Sequence, residues 1–214
     1  MIRPTLWLLF VLLGGFATSA QTTGSAPAKQ AANRTETAVF AGGCFWCVEK
    51  DFDHVSGVVR TTSGYTGGIT ANPTYKDVTQ GDSGHYEAVQ IEFDPEEVRF
   101  EELVEIFWRS VDPTDAGGQF CDRGDSYRTA IFAQTPQQRR IAESSKAKLD
   151  AMKRLDSAIV TPIIDAAPFY AAETYHQDYY KKNPGRYTFY RFTCGRDRRV
   201  KALWGDQAHR GIKQ

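Results

Sequence analysis

The segment TAVFAGGCFWCVEKDFDHV, residues 37–55, constrains the fold more than any other. TAVFAGG alternates apolar residues and ends in two glycines, the pattern of a buried strand running into a tight turn. From Cys44 onward, Val48, Phe52 and Val55 fall at i, i+4 and i+7, which places them on one face of a helix that Gly57 can stop. A strand that turns directly into an amphipathic helix must lay that helix on a sheet, so all-α and all-β architectures are disfavoured.

The rest of the chain fits this start. HYEAVQIEFD is an alternating strand whose Glu87, Val89, Ile91 and Phe93 share one face. Leu103, Ile106 and Phe107 mark an amphipathic helix ending near Ser110. YRTAIFAQ and AIVTPIID read as strands. Between them Thr135 caps a helix with Pro136 in its first turn and Ile141, Ser145, Leu149 and Met152 on one face. AAETYHQDYYKKNP reads as a short helix stopped at Asn183-Pro184. SGYTGGITANPTY and DPTDAGGQFCDRGDS read as long loops, and loops of that length inside a domain tend to be functional. The expected fold class is therefore α/β (α+β), a two-layer sandwich with a mixed sheet and packed helices.

Before this domain, Arg3 and the apolar run Leu6–Ala17, followed by TSA, have the form of an export signal over residues 1–20. The run is short for a bilayer span, which needs about 20 residues, so no stable membrane association is expected after cleavage. Residues 21–36 read as a flexible linker, and residues 37–214 as one domain with an irregular C-terminal tail. The expected location is outside the cytoplasm, periplasmic or secreted. Lysine plus arginine (26) equals aspartate plus glutamate (26), and only RDRRVK near the end is strongly basic. That run reads as a solvated surface, so no nucleic-acid partner is expected.

Cysteines stand at 44, 47, 121 and 194, and in an exported chain all four could form structural bridges. The Cys44–Cys47 spacing allows redox chemistry, half of a metal site, or structure. Zinc wants a second pair of cysteines or histidines at short spacing, which Cys121 and Cys194 lack, so no metal is expected. A helix start lowers a thiol pKa, which favours Cys44 as a nucleophile, and Cys47, one turn on, is within reach of a disulfide. Glu87 shares the core-facing side of its strand. Buried there it would keep its proton and serve as an acid; at the strand end it could instead escape into water. His85 reads as a packed neighbour of Glu87, His176 as bonded within its helix, and His209 as part of a mobile tail.

GGCFWC, NPTY, GHYEAV, DPTD, DRGDSYRTAIF and YHQDYY, in that order, resemble the A-type peptide methionine sulfoxide reductases from about Thr37 to Trp204. The resemblance implies a sandwich of ferredoxin-like character that reduces the S-epimer of methionine sulfoxide, free or in proteins. It implies Cys44 as the attacking thiolate and Glu87 as its acid. Phe45 and Trp46 would wall a pocket for the substrate methyl, and Tyr75, Asp122 and Tyr127 would surround the sulfoxide oxygen. It further implies no bound cofactor, an external thioredoxin-like dithiol as reductant, and a monomer. Many members of the family have glycine where this chain has Cys47, and resolve with cysteines in a glycine-rich tail. Here the tail holds Cys194 without such glycines, so Cys47 is the expected resolving thiol and Cys194 the alternative. A Cys121–Cys194 bridge, structural or relaying oxidation outward, is a third arrangement. The rival reading is a general thiol–disulfide oxidoreductase using Cys44 and Cys47.

Overall fold

The first strand, β1 (Glu36–Gly42), feeds α1 (Phe45–Asp53) as the sequence suggests. Gly43 makes the turn possible: it adopts φ +82°, and a Cβ there would lie 2.5 Å from Gln119 Cβ. The computed structural model describes Met1 and residues 35–213. The expected signal and nearly all of the expected linker fall outside those residues, and Glu36 already belongs to β1. Among the described residues, no helix is long and apolar enough to cross a membrane.

After α1 come β2 (Val58–Thr66), α2 (Tyr75–Thr79), β3 (Tyr86–Phe93) and α3 (Phe100–Trp108). A two-residue hairpin, β4 (Gly118–Gln119) and β5 (Asp122–Arg123), precedes β6 (Thr129–Ala133), α4 (Pro136–Ala151), β7 (Ile163–Asp165) and β8 (Phe169–Ala171). The chain closes with α5 (Tyr179–Lys182), α6 (Pro184–Cys194) and α7 (Arg196–Trp204). The main sheet runs β7-β6-β1-β3-β2-β8, antiparallel except where β6 meets β7. Its middle four strands, β6-β1-β3-β2, hold two split β-α-β units, the feature behind the expected ferredoxin-like character. The edge strands β7 and β8 and the three closing helices are additions to that pattern.

One sheet face carries Phe40, Val89, Ile91, Phe93 and Ile131 against Val48 and Phe52 of α1 and Leu103 and Phe107 of α3. Phe40 is at the centre, with ring centroids 5.3 Å from Phe52 and 5.0 Å from Phe107. The opposite face buries a smaller cluster of Val39, Ala41, Tyr86, Ala88, Ala130 and Phe132. The mixed α/β class follows from the sequence pattern.

Several local expectations are corrected. The loop expected from Ser63 begins as the end of β2, whose Ser63 and Thr66 are buried in spite of their polarity. On α4 the buried face is Gln138, Ala142, Ser145 and Leu149, while Met152 is exposed beyond the last turn. Only Tyr179–Lys182 of the YHQDYYKK stretch is helical, and Pro184 opens α6 rather than ending structure. The tail is helical, and His209 Nε2 lies 3.1 Å from Asp197. Arg196, from the basic run expected in solvent, is among the most buried side chains of the chain.

Cys121 and Cys194 form a disulfide across 73 residues of sequence, tying the end of α6 to the β4–β5 hairpin, while Cys44 and Cys47 are free and buried. Closing a loop of that length restricts the unfolded chain by about 4 kcal/mol in the chain-entropy account. The Cys121→Ser/Cys194→Ser double variant should therefore melt roughly 10 °C below the parent without reductant. Coincident melting curves would show that the bridge contributes nothing to stability.

Candidate active site

The site forms where β1 turns into α1. In the β1–β3 register Phe40 pairs with Val89, so two residues further on Gly42 and Glu87 come side by side, next to the turn that holds Cys44. Cys44 is the N-cap of α1 and 6% exposed. The first amide of α1, Phe45 N–H, donates to Glu87 Oε2 at 3.0 Å. The anion-favouring start of the helix is thus occupied by the carboxyl and not by the thiol.

Glu87 is 1% exposed, and burial pushes its pKa up to about 8 against the Phe45 amide and the Tyr127 hydroxyl, which favour the charged form. The Tyr127 and Tyr75 hydroxyls face each other, and both feel the Glu87 charge. Tyr75 enters from the first turn of α2, where Thr74 supplies the cap, and its own amide donates to Glu173 Oε1 at 2.9 Å. Asp122, on β5, accepts from the Tyr190 hydroxyl of α6 and is raised by burial. The structure therefore brings Cys44, Glu87, Tyr75, Tyr127 and Asp122 to one place from five separate segments. Cys194, the expected alternative to Cys47, is bonded to Cys121 and is not a free thiol.

Phe45 is buried beneath the site, 5.9 Å from Tyr65 and 6.5 Å from Tyr75 between ring centroids. Trp46 is partly exposed. It stacks on Tyr179 at 3.7 Å and 7°, meets Tyr190 edge-on at 5.9 Å, and donates from Nε1 to His176 Nδ1 at 3.1 Å. His176 therefore braces Trp46 across the chain instead of bonding within a helix. His85 is a staple for the preceding loop: its Nε2 bonds Thr70 O at 2.7 Å and its Nδ1 accepts from Gly68 N–H at 3.1 Å.

Burial raises the Cys44 thiol well above the usual range, with the facing Cys47 sulfur and the charges of Glu87 and Asp122 acting in the same direction. The lowering expected from a helix start is outweighed, because the carboxyl holds the free amide. Cys47 moves the other way, to about 7, through its hydrogen bond with Cys44 and the Arg196 and Arg191 charges, against burial.

Sequence reasoning passed over Tyr179, Tyr190, Glu173, Asp51, Arg191 and Arg196. Their signals are weak, since all but Asp51 lie far along the chain from the residue they serve, and the partners of Asp51 are Arg191 and Arg196, far along the chain from it. Spacing also misled on Cys121 and Cys194, whose sulfurs and an Asp122 oxygen lie within 4.8 Å of one another. The two sulfurs are spent on each other, and so are not thiolate ligands.

The peptide methionine sulfoxide reductase family model matches residues 36–208. The chain belongs to this family. It is 53% identical over 174 residues to the peptide methionine sulfoxide reductase MsrA of Bacillus licheniformis, covering 81% of this chain and 96% of that one. It is also 53% identical over 191 residues to MsrA 2 of Caulobacter vibrioides, covering 89% and 96%. Among solved structures, methionine sulfoxide reductase A of Corynebacterium diphtheriae superposes with a TM-score of 0.64 at 40% identity over 70% of this chain and 76% of that one. Reduced Mxr1 of Saccharomyces cerevisiae gives 0.64 at 30% identity over 71% and 87%. Membership in this family disfavours the general thiol–disulfide oxidoreductase reading, and the cluster around Glu87 is the chemistry that such an enzyme would not need.

Proposed function

We propose that the chain reduces the S-epimer of methionine sulfoxide to methionine with Cys44 as nucleophile, Glu87 as acid and Cys47 as resolving thiol. The observation that carries this reading is a buried carboxyl that accepts from the amide next to a buried thiol, with burial pushing its pKa up to about 8. A sulfoxide oxygen leaves sulfur only as it gains protons, and an acid with a pKa near neutrality is suited to supplying one. The Tyr75 and Tyr127 hydroxyls hold that oxygen, and Trp46 over Phe45 receives the methyl. Asp122, raised by burial and accepting from the Tyr190 hydroxyl, orients the site.

As the Cys44 thiol attacks, its sulfur bonds to oxygen while the substrate S–O bond breaks; the oxygen takes the Glu87 proton and the thiol proton passes to Glu87. Methionine departs, and Cys44 is left as the sulfenic acid. Cys47 then displaces that oxygen as water, giving a Cys44–Cys47 disulfide, which a thioredoxin-like dithiol reduces by exchange. The apolar run Leu6–Ala17 supports export, so that dithiol acts outside the cytoplasm.

Incubation of each epimer of an N-acylated methionine sulfoxide with enzyme and dithiothreitol tests the reaction. The S-epimer is consumed and the R-epimer remains. Turnover of neither, with insulin disulfides reduced instead, sinks the proposal. Cys47→Ser should release one equivalent of methionine and stop with a sulfenate that dimedone labels; sustained cycling at the parent rate would take resolution away from Cys47.

A further inference from the structure

Beneath the thiol pair lies a set of buried charges that the reaction as described does not use. Asp51 follows Cys47 by one helical turn on α1 and is almost wholly buried. Arg191, from α6, contacts Asp51 Oδ1 at 2.8 Å, and Arg196 Nε, from α7, lies 3.8 Å from Asp51 Oδ2. Arg191 is also paired from the solvent side by Asp197 at 2.7 Å. Arg196 spends its two terminal nitrogens on main-chain oxygens, donating to Gly42 O and Ser110 O at 3.0 Å each. Its Nε–H has no partner.

A buried guanidinium is costly unless negative charge offsets it. Here two guanidiniums share one buried carboxylate, and one N–H donor is left over. The two sulfurs see opposite surroundings. Facing Cys44 are the carboxyls of Glu87 from β3 and Asp122 from β5. Cys47 faces Arg196 and Arg191, with Asp51 opposing them. Tyr187 and Tyr190 on α6 are neutral at working pH, because burial raises both. Asp197, paired with Arg191 and His209, stays charged.

We infer that Arg196, with Arg191, acts as a positioning residue that keeps the negative charge of the thiol pair on Cys47, so that the resolving sulfur is already a thiolate when the sulfenic acid forms. The inference rests on the reading of Cys47 as resolver. Resolution then needs no base. The Cys47 thiolate bonds to the Cys44 sulfur, the S–O bond breaks, and the departing hydroxide takes the proton that Glu87 recovered from the Cys44 thiol in the first step and leaves as water. Cys47 sulfur is oxidised and Cys44 sulfur reduced, with no outside electrons. The last two helices of the chain thereby serve the chemistry of the first.

The test is a titration of Cys47 by the 13Cβ shift of labelled cysteine in the Cys44→Ser variant, where no sulfenate can form. Arg196→Met should move the Cys47 midpoint upward by about one unit, and Arg196→Lys should restore most of that shift although it loses the two carbonyl bonds. Asp51→Asn, which removes the opposing carboxylate, should move the midpoint downward. These opposite signs are not expected of a role in packing alone. In enzyme with Cys44 intact, single-turnover closure in Arg196→Met should slow about fourfold at mildly acid pH. Thiolate falls about tenfold there, partly offset by the greater nucleophilicity of the more basic sulfur. A midpoint unchanged in folded Arg196→Met overturns the inference, as does one unchanged in Asp51→Asn should the methionine variant not fold. If the midpoints move as described while Cys47→Ser cycles at the parent rate, the charge assignment stands and the resolver reading falls.

Discussion

Cys44→Ser abolishes sulfoxide reduction, lowering turnover by about 10⁴-fold or more, because the hydroxyl cannot become the attacking sulfur and no other free thiol faces Glu87 in the same way. Binding should survive, since the Tyr75, Tyr127 and Trp46 surroundings are untouched. The measurement is methionine released in the first turnover, with fluorescence of Trp46 reporting binding. Release at the parent rate would refute the assignment of Cys44, whatever happened to later turnovers.

Glu87→Gln should slow methionine release by roughly 100- to 1000-fold, because the amide is a poor acid. In the parent, release should decline as pH rises through about 8, the value to which burial pushes the Glu87 pKa. The variant should lack that alkaline decline. Stability should move the other way. In the unfolded chain Glu87 ionises near the ordinary glutamate value of 4.5, whereas in the fold burial pushes its pKa up to about 8. The native state therefore loses stability as pH rises between those values. At neutral pH the loss amounts to about 3 kcal/mol. Removing the titratable group removes this loss, so Glu87→Gln should be more stable than the parent at neutral pH and equally stable below about pH 4. A variant with parent-like release and parent-like melting at every pH would show that Glu87 is neither buried as an acid nor used as one.

This exchange of stability for reactivity explains what the sequence made legible. The alternation of Glu87, Val89, Ile91 and Phe93 put Glu87 on the core-facing side but left escape into water at the strand end open, and the structure buries it. The strand, glycine turn and helix around Cys44 were equally readable, because the apolar spacing, the glycines and the cap lie within a few residues of one another. β2 was not readable at its end. There Ser63 and Thr66 are buried by hydrogen bonds to distant segments, Ser63 N–H donating to Gln177 Oε1 at 2.9 Å and Thr66 Oγ1 to Pro168 O at 3.0 Å. Such partners have no signature in the local pattern. The thiol pKa was misjudged for a related reason. The helix start is visible in sequence, but the occupation of its amide by a carboxyl 42 residues away is not.

The bridge between Cys121 and Cys194 joins the middle of the chain to its last helices. During synthesis three thiols emerge well before the fourth. For that interval Cys121 has no proper mate, while Cys44 and Cys47 are the sulfurs at hand. An oxidant meeting the unfinished polypeptide would find a choice of wrong pairings, and only arrival of the final helices removes the choice. Maturation of this enzyme is thereby a problem of timing.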